Sequence, residues 1–276
     1  MFERVGIYPN PNRQEVLLFA RDLADEIERR GARTLFPAAP IGSPVRSGSG
    51  TFPPEIPDLI LSLGGDGTLL SCLRVAGELA PILGVNLGDV GYLSASTSGR
   101  ILSDLDAILA GHLLVEERTM VSLKIGGRTA HGLNECAILH RQQGRSIRLL
   151  IQINGQELGE VRGDGLLVAT PSGSTAYAMA CGGPLIDPSL DLLLLCAVAP
   201  HSLFSRPILL NRDSNVVVHP RGREQALALV DGQELGPVRV DQPALIFLSP
   251  KKTRLAYLEP GHFVQDIQRK LHWGRL

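Results

Sequence analysis

The sequence predicts an α/β domain with an open, mostly parallel sheet, followed by an all-β domain, and three observations carry that expectation. Over the first hundred or so residues, short apolar runs alternate with amphipathic helical periods, the pattern of stacked βαβ units. Beyond the helical stretch Leu102 to Ala110 the pattern changes to short β runs punctuated by glycines, at the close spacing of an all-β unit. A length of 276 residues is enough for two domains that each bury a core, which places a boundary near residue 99, with domains over 1–99 and 100–258 and a tail over 259–276.

Taken in order, Val5-Gly6-Ile7-Tyr8 reads as a first strand. The run from Arg13 to Arg30 sets Val16, Ala20, Leu23 and Ile27 on one helical face before Gly31 stops it. A second strand lies near Thr34, and Pro37 to Pro57, dense in Pro, Gly and Ser, reads as a long exposed loop. Asp58 to Leu63 is a buried strand. Leu69, Leu70, Leu73 and Ala76 then recur at helical spacing to about Leu79, and Ile82 to Leu87 completes a βαβ unit. The β runs that follow are Val121 to Ile125, Gly132 to Leu139, Ile147 to Ile153, Gly165 to Val168, Val216 to His219, Ala226 to Val230 and Ala244 to Leu248. In the tail, Phe263, Ile267 and Leu271 fall at i, i+4, i+8, the period of a helix packed back on another element.

Composition narrows the function. With 27 basic against 28 acidic residues the chain lacks the basic excess of a nucleic-acid binder. The most apolar stretch, Leu192 to Ala199, is a core strand, well under the roughly 20 residues of a membrane-spanning helix. No basic start followed by an apolar stretch and a cleavage site opens the sequence, so a cytoplasmic protein with neither membrane nor nucleic acid as partner is expected. Cys72, Cys136, Cys181 and Cys196 contain no C-x-x-C pair and read as reduced, buried thiols. No spacing of His140, His201 and Cys136 supports a metal cluster, so no metal ligand is assigned.

Two segments carry chemistry. Gly64-Gly65-Asp66-Gly67-Thr68 joins a buried strand to a helix and leaves backbone N–H groups at the helix mouth, a cradle for phosphate. Asp66 repels phosphate, so its work there is on a hydroxyl or a metal. No G-x-x-x-x-G-K-[ST] occurs, and Leu70 stands at the third glycine position of G-x-G-x-x-G, so neither a Walker loop nor ordinary NAD oxidoreductase chemistry is indicated. The second segment, Asp164 to Pro184, combines hydroxyls, N–H groups and the Tyr177 ring, suited equally to capping a short helix near Thr175 through Ser172 and Ser174 or to holding a base and its sugar. Asn134-Glu135 interrupts an apolar β run, where an amide and a carboxylate need partners if buried and otherwise mark a strand end in water.

Taken together, GGDGTLL at 64–70, VNLGDVGYL at 85–93, NE at 134–135, DGLLVATPSGSTAYAMACGGP at 164–184, PHSLFSRPILL at 200–210 and DGQ at 231–233 resemble the NAD kinase family, ATP- or polyphosphate-dependent, over nearly the whole chain. The glycine turn is shared with diacylglycerol and sphingosine kinases; the TPSGSTAY stretch with NE upstream is specific to NAD kinases. The resemblance implies transfer of a phosphoryl group from ATP or polyphosphate, with Mg²⁺ or another divalent cation, to the 2′-hydroxyl of the adenosine ribose of NAD, with Asp66 as general base. By motif position it implies NAD contacts at Asp66, Gly67, Asn134, Glu135, Arg145, Arg162, Asp164, Thr175, Ala176, Tyr177, Ala180, Ala199 and Gln233. Donor contacts fall at Gly64, Gly65, Gly67, Thr68 and, by position one helical turn on, Arg74. It further implies a homodimer or homotetramer and a C-terminal tail that returns to the first domain. Asp89, where the family has a basic residue, and Ala180, where it commonly has serine, depart from the pattern. A lipid kinase sharing the glycine turn and a non-catalytic NAD sensor are the alternatives.

Overall fold

The computed structural model describes residues 1–38, 50–88, 91–142, 144–202, 205–222, 225–260 and 262–271. The chain divides into two compact units, Met1–Glu117 with Thr253–Leu276, and Arg118–Lys252. In chain order the elements are β1 (Arg4–Pro9), α1 (Gln14–Arg29), β2 (Arg33–Pro37), β3 (Gly50–Phe52), β4 (Leu59–Leu63), α2 (Asp66–Ala76), β5 (Ile82–Asn86), β6 (Ser96–Thr97), α3 (Ser98–Leu109), β7 (Leu114–Ile125), β8 (Arg128–Gly132) and β9 (Glu135–His140). They continue through β10 (Ile147–Ile153), β11 (Gln156–Gly163), β12 (Gly165–Ala169), a 3₁₀ turn (Ser172–Thr175), α4 (Tyr177–Ala180), β13 (Leu192–Val198), β14 (Ile208–Asn211), β15 (Asn215–Arg221), β16 (Ala226–Val230), β17 (Gln233–Val238), β18 (Ala244–Tyr257) and α5 (His262–Lys270).

The first unit is the expected open parallel sheet. β1 pairs in parallel with β2 and β4, β4 with β5, and β2 with β3. β4 is buried along its whole length, as a strand covered on both faces must be, and so reads as an unbroken apolar run. The buried faces of α1 (Val16, Ala20, Leu23, Ala24, Ile27) and α3 (Ile101, Leu105, Ile108, Leu109) pack with β1, β4 and β5 into one core. That packing moves the boundary: α3 belongs to the first unit, which runs to Glu117 rather than to 99. The tail joins it earlier than 259, because the end of β18 pairs in parallel with β5, Leu255 opposite Ile82, and Ala256 enters the same core. Beyond it, the Glu259 carboxylate accepts from Arg100 at 3.1 Å.

Two other expectations are corrected here. The Pro37 to Pro57 segment contains β3, whose Phe52 is fully buried; its residues 39–49 lie outside the described residues. The second helix ends at Ala76 instead of Leu79, because Gly77 turns to φ +51 and gives its N–H to the Leu73 carbonyl at 2.7 Å.

The second unit is a β sandwich. One antiparallel sheet runs β14-β13-β12-β9-β16-β17; facing it, β11, β10, β15 and the first half of β18 pair antiparallel. Leu149, Ile151, Val216, Val218 and Ile246 meet Ile138, Leu166, Val168, Leu195 and Ala228 between the layers. The outer face of the first sheet is covered too: Ala137, Leu167, Ala169, Leu194 and Cys196 pack with Ala178 of α4 and Ile186. Three of the four thiols are buried as expected; Cys181 is only half-buried. The expected single run Gly132 to Leu139 is broken, with β8 ending at Gly132 and β9 starting at Glu135.

Candidate functional site

Each unit carries its own cluster of candidate residues. In the first, β4 delivers the chain into Gly64-Gly65, and α2 begins directly at Asp66. Gly64 sits at φ +151, and a Cβ there would overlap the Thr68 hydroxyl, so glycine is required for the turn to close. At Gly65 and Gly67 an added Cβ would meet nothing within 4 Å, which leaves the helix mouth open to an approaching group. Beside it lies a cleft of 330 Å³ lined by Tyr8, Asn10, Pro11, Asn12, Gly65, Gly67, Thr68 and Ser71. Asn10 Nδ2 donates to Thr68 Oγ1 at 3.1 Å, fixing the β1 loop against the helix, and Arg74 donates to Ser71 Oγ at 2.7 Å, putting its charge next to the cleft.

The Asp66 carboxylate is anchored. Its Oδ2 accepts the Tyr92 N–H at 2.8 Å and its Oδ1 the Leu93 N–H at 3.1 Å. Gly91 makes room for it, since a Cβ on Gly91 would overlap Oδ1. An ionised carboxylate has about four lone-pair sites, so two N–H bonds leave acceptor capacity for a substrate proton. VNLGDVGYL therefore contributes the backbone that aims Asp66; Asp89 of that motif lies outside the described residues.

The cluster in the second unit gathers segments far apart in sequence. Asn134 is 8% exposed, which overturns the reading of a strand end in water. Asn134 Oδ1 and Glu135 Oε2 are both buried with no hydrogen-bond partner among the described residues. Burial and then the neighbouring Asp231 charge push the Glu135 carboxyl up to about 7. Orphaned buried acceptors of this kind are expensive unless a ligand with N–H or O–H groups completes them.

Tyr177, at the start of α4, is 41% exposed. Its hydroxyl is raised above its ordinary value by burial, then by the charges of Cys181, Asp164 and Glu135. Asp164 lies between β11 and β12, where its N–H goes to the Val198 carbonyl at 2.9 Å and its carbonyl accepts from His140 N–H at 3.0 Å. That brings Ala199, at φ +44, beside it. Gly163 packs too tightly on the Val198, Ala199 and Pro200 backbone to carry a Cβ.

Arg162 Nε reaches Ser146 Oγ at 3.4 Å, and Gln233 opens β17 two residues after Asp231. Thr175 Oγ1 donates to the Ser172 carbonyl, and Ala176 leads into α4 with Ala180 exposed at its end. Arg145 is exposed in the β9–β10 connection, and no distance ties it to the others. The expected caps are not made by Ser172 or Ser174: Thr170 Oγ1 accepts the Gly173 N–H at 3.1 Å, and Ser174 Oγ accepts from Ile186 N–H. Thr170 and Asp231 lie within the motifs at 164–184 and 231–233 without an assigned contact, and Asn10 lies outside every motif.

Among the described residues no group of three or more His, Cys, Asp or Glu side chains converges as a metal cage. Among the described residues no helix is long and apolar enough to cross a membrane.

Fold and clusters together define a class: a parallel α/β unit with a glycine turn at a helix mouth, and in the same chain a β sandwich carrying two buried, unpartnered acceptors. Residues 46–113 match the ATP-NAD kinase N-terminal domain and residues 133–258 the ATP-NAD kinase C-terminal domain. The NAD kinase of Syntrophotalea carbinolica is 32% identical over 99% of both chains, and that of Moorella thermoacetica 33% identical over 99% of this chain and 90% of its own. Among solved structures, yeast NADH kinase complexed with NADH superposes with a TM-score of 0.88 at 20% identity, covering 99% of this chain and 89% of that one. An Archaeoglobus fulgidus NAD kinase in complex with ATP superposes at 0.78 and 24%, covering 98% of each chain. The chain belongs to the NAD kinase family.

Proposed function

We propose that the chain phosphorylates NAD, moving a phosphoryl group from a nucleoside triphosphate or polyphosphate to the 2′-hydroxyl of the adenosine ribose and releasing NADP. The observation that carries this reading is the pair of buried, unpartnered acceptors Asn134 Oδ1 and Glu135 Oε2, which suit the N–H and O–H donors of an adenosine, in a chain one third identical to named NAD kinases. A lipid acceptor would have no use for two desolvated acceptors, and a pure sensor none for a carboxylate anchored beside a phosphate cradle.

Asp66 acts as general base: it takes the proton of the 2′-hydroxyl while that oxygen bonds to the terminal phosphorus and the bond from that phosphorus to its bridging oxygen breaks. The helix-mouth N–H groups at Gly65 and Gly67, with Thr68 and Arg74, hold the phosphates of the donor. Asn134, Glu135, Asp164, Thr175, Ala176 and Tyr177 hold the dinucleotide, with Arg145, Arg162, Ala180, Ala199 and Gln233 at its margin. A divalent cation, Mg²⁺ in the simplest case, supplies charge neutralisation on the donor phosphates. The enzyme works in the cytoplasm as a homodimer or homotetramer.

Purified protein given NAD, Mg²⁺ and either ATP or polyphosphate, coupled to an NADP-specific dehydrogenase, tests the reading and identifies the donor. Reduced cofactor is expected to accumulate with at least one donor; none with either donor overturns the assignment. Size-exclusion chromatography with light scattering reads the oligomer.

A further inference from the structure

Between β8 and β9 the chain leaves the sheet for Leu133 and Asn134, and each backbone group of this link is tied from one of two sides. On one side three N–H groups converge on Asp231. Leu133 N–H donates to Oδ2 at 2.7 Å; Asn134 N–H and Glu135 N–H donate to Oδ1 at 2.8 and 3.1 Å. Asp231 returns its own N–H to the Glu135 carbonyl at 3.0 Å. On the other side Thr170 N–H donates to the Asn134 carbonyl at 2.8 Å, and Thr170 Oγ1 donates to the Leu133 carbonyl at 2.5 Å.

Two glycines bring these walls close. A Cβ on Gly132 would stand 2.8 Å from Asp231 Oδ1, and one on Gly173 would overlap the Asn134 carbonyl. Asp231 at φ +46 and Gly232 at φ +74 form the two-residue Asp-Gly turn that closes the β16–β17 hairpin, which places the Asp231 carboxylate at the hairpin tip.

Both Asp231 oxygens are thus engaged by the protein's own backbone, while the side chains on the tethered link carry the two unpartnered acceptors. Gathering three convergent N–H groups on one side chain is work for a carboxylate, since an amide or hydroxyl offers fewer acceptor sites. We propose that Asp231 is a positioning residue for the dinucleotide: without touching it, Asp231 sets the 133–135 backbone so that Asn134 Oδ1 and Glu135 Oε2 meet the donor groups of the adenosine, with Thr170 as the opposing jaw. This rests on the NAD kinase reading and extends it to residues outside the expected contact set.

The test compares wild type with Asp231→Asn by NAD titration in a calorimeter and by steady-state kinetics, with thermal melts to show folding. The amide keeps the size of the side chain but loses an acceptor oxygen and the charge. An increase of tenfold or more in the Kd and KM for NAD, with the KM for ATP and kcat each within threefold of wild type, is expected. An unchanged Kd for NAD in the folded variant, or parallel losses in every constant, overturns the proposal.

Should Asp231→Asn fail to fold, Thr170→Val and Thr170→Ser decide the matter. Valine removes the hydroxyl that holds the Leu133 carbonyl and is expected to weaken NAD binding severalfold, and serine restores it; equal affinity in the two overturns the clamp. A wild type that binds NAD without phosphorylating it would sink the activity and leave these binding comparisons intact.

Discussion

The two candidate clusters are built by opposite strategies. The proposed donor cluster is local: Gly64, Gly65, Asp66, Gly67 and Thr68 are contiguous, and one loop supplies both the glycine turn and the carboxylate, with Tyr92, Leu93 and Asn10 among the residues added from elsewhere. The proposed dinucleotide cluster is non-local. Its central contact joins Asn134 to Asp231 across 97 positions of sequence, and Thr170 closes it from a third segment. A local site is held by turn geometry and can lose its chemistry without losing the fold. A non-local site is a piece of the sandwich core, so damage to it registers in substrate affinity and in stability together.

The sharpest way to break this comparison is Asp66→Asn. A positioned general base contributes about 10²- to 10⁴-fold, so kcat is expected to fall by at least about 10²-fold with the Kd for NAD within threefold and the melting temperature nearly unchanged. Near-normal turnover would remove Asp66 from its role, and a collapse of NAD affinity would show the two halves to be one energetic unit.

Gly91→Ala comes next. Its Cβ would overlap Asp66 Oδ1 and stand 3.2 Å from Ser94 Oγ, so the carboxylate must shift to accommodate it. Misplacing a reacting group by about 1 Å costs on the order of 10²-fold, and a loss of that order in kcat at constant NAD affinity is the expected result. On the other half, Gly173→Ala drives a Cβ into the Asn134 carbonyl, with backbone on both sides and no flexible side chain to give way. It should raise the KM for NAD by tenfold or more and destabilise by about 1–3 kcal/mol, as overpacking does. Urea melts with kinetics check both arms; an unchanged stability with altered KM would mean that the non-local half is as independent of the core as the local one.

The same contrast explains what the sequence made legible. GGDGT could be read because strand, turn and helix follow one another, and the chemistry of a carboxylate among glycines is visible without any tertiary information. The Asn134-Glu135 pair could be noticed only as an oddity in an apolar run. Asp231 stands in the DGQ motif and Thr170 in the 164–184 motif, but neither motif says that the Asp231 carboxylate and the Thr170 hydroxyl tie the 133–135 backbone, because those contacts reach across 97 and 37 positions of sequence. The boundary near 99 was misplaced because the apolar period of α3 says that one face is buried, not against which core; Ile101, Leu105 and Ile108 settle that by packing with β1 and β4.

The smallest effect is also the one that best separates charge from shape. Glu135 is pushed from an ordinary 4.5 to about 7, first by burial and then by the Asp231 charge; Tyr177 of α4, Cys181 just beyond it and the neighbouring Cys136 are titratable groups that feel its carboxylate. Between those two values the folded chain keeps a proton that the unfolded chain releases, so stability from this group is full below 4.5 and is lost as the pH rises through about 7. Glu135→Gln carries no charge at any pH and removes that loss. The variant should therefore be more stable than wild type at pH 8, on the order of 1–3 kcal/mol, with the difference shrinking toward zero near pH 4.5. Urea melts of both proteins at the two pH values measure it. A stability difference independent of pH would mean that the Glu135 carboxyl is not held neutral by its surroundings, and that Asp231 acts on the link through its hydrogen bonds alone.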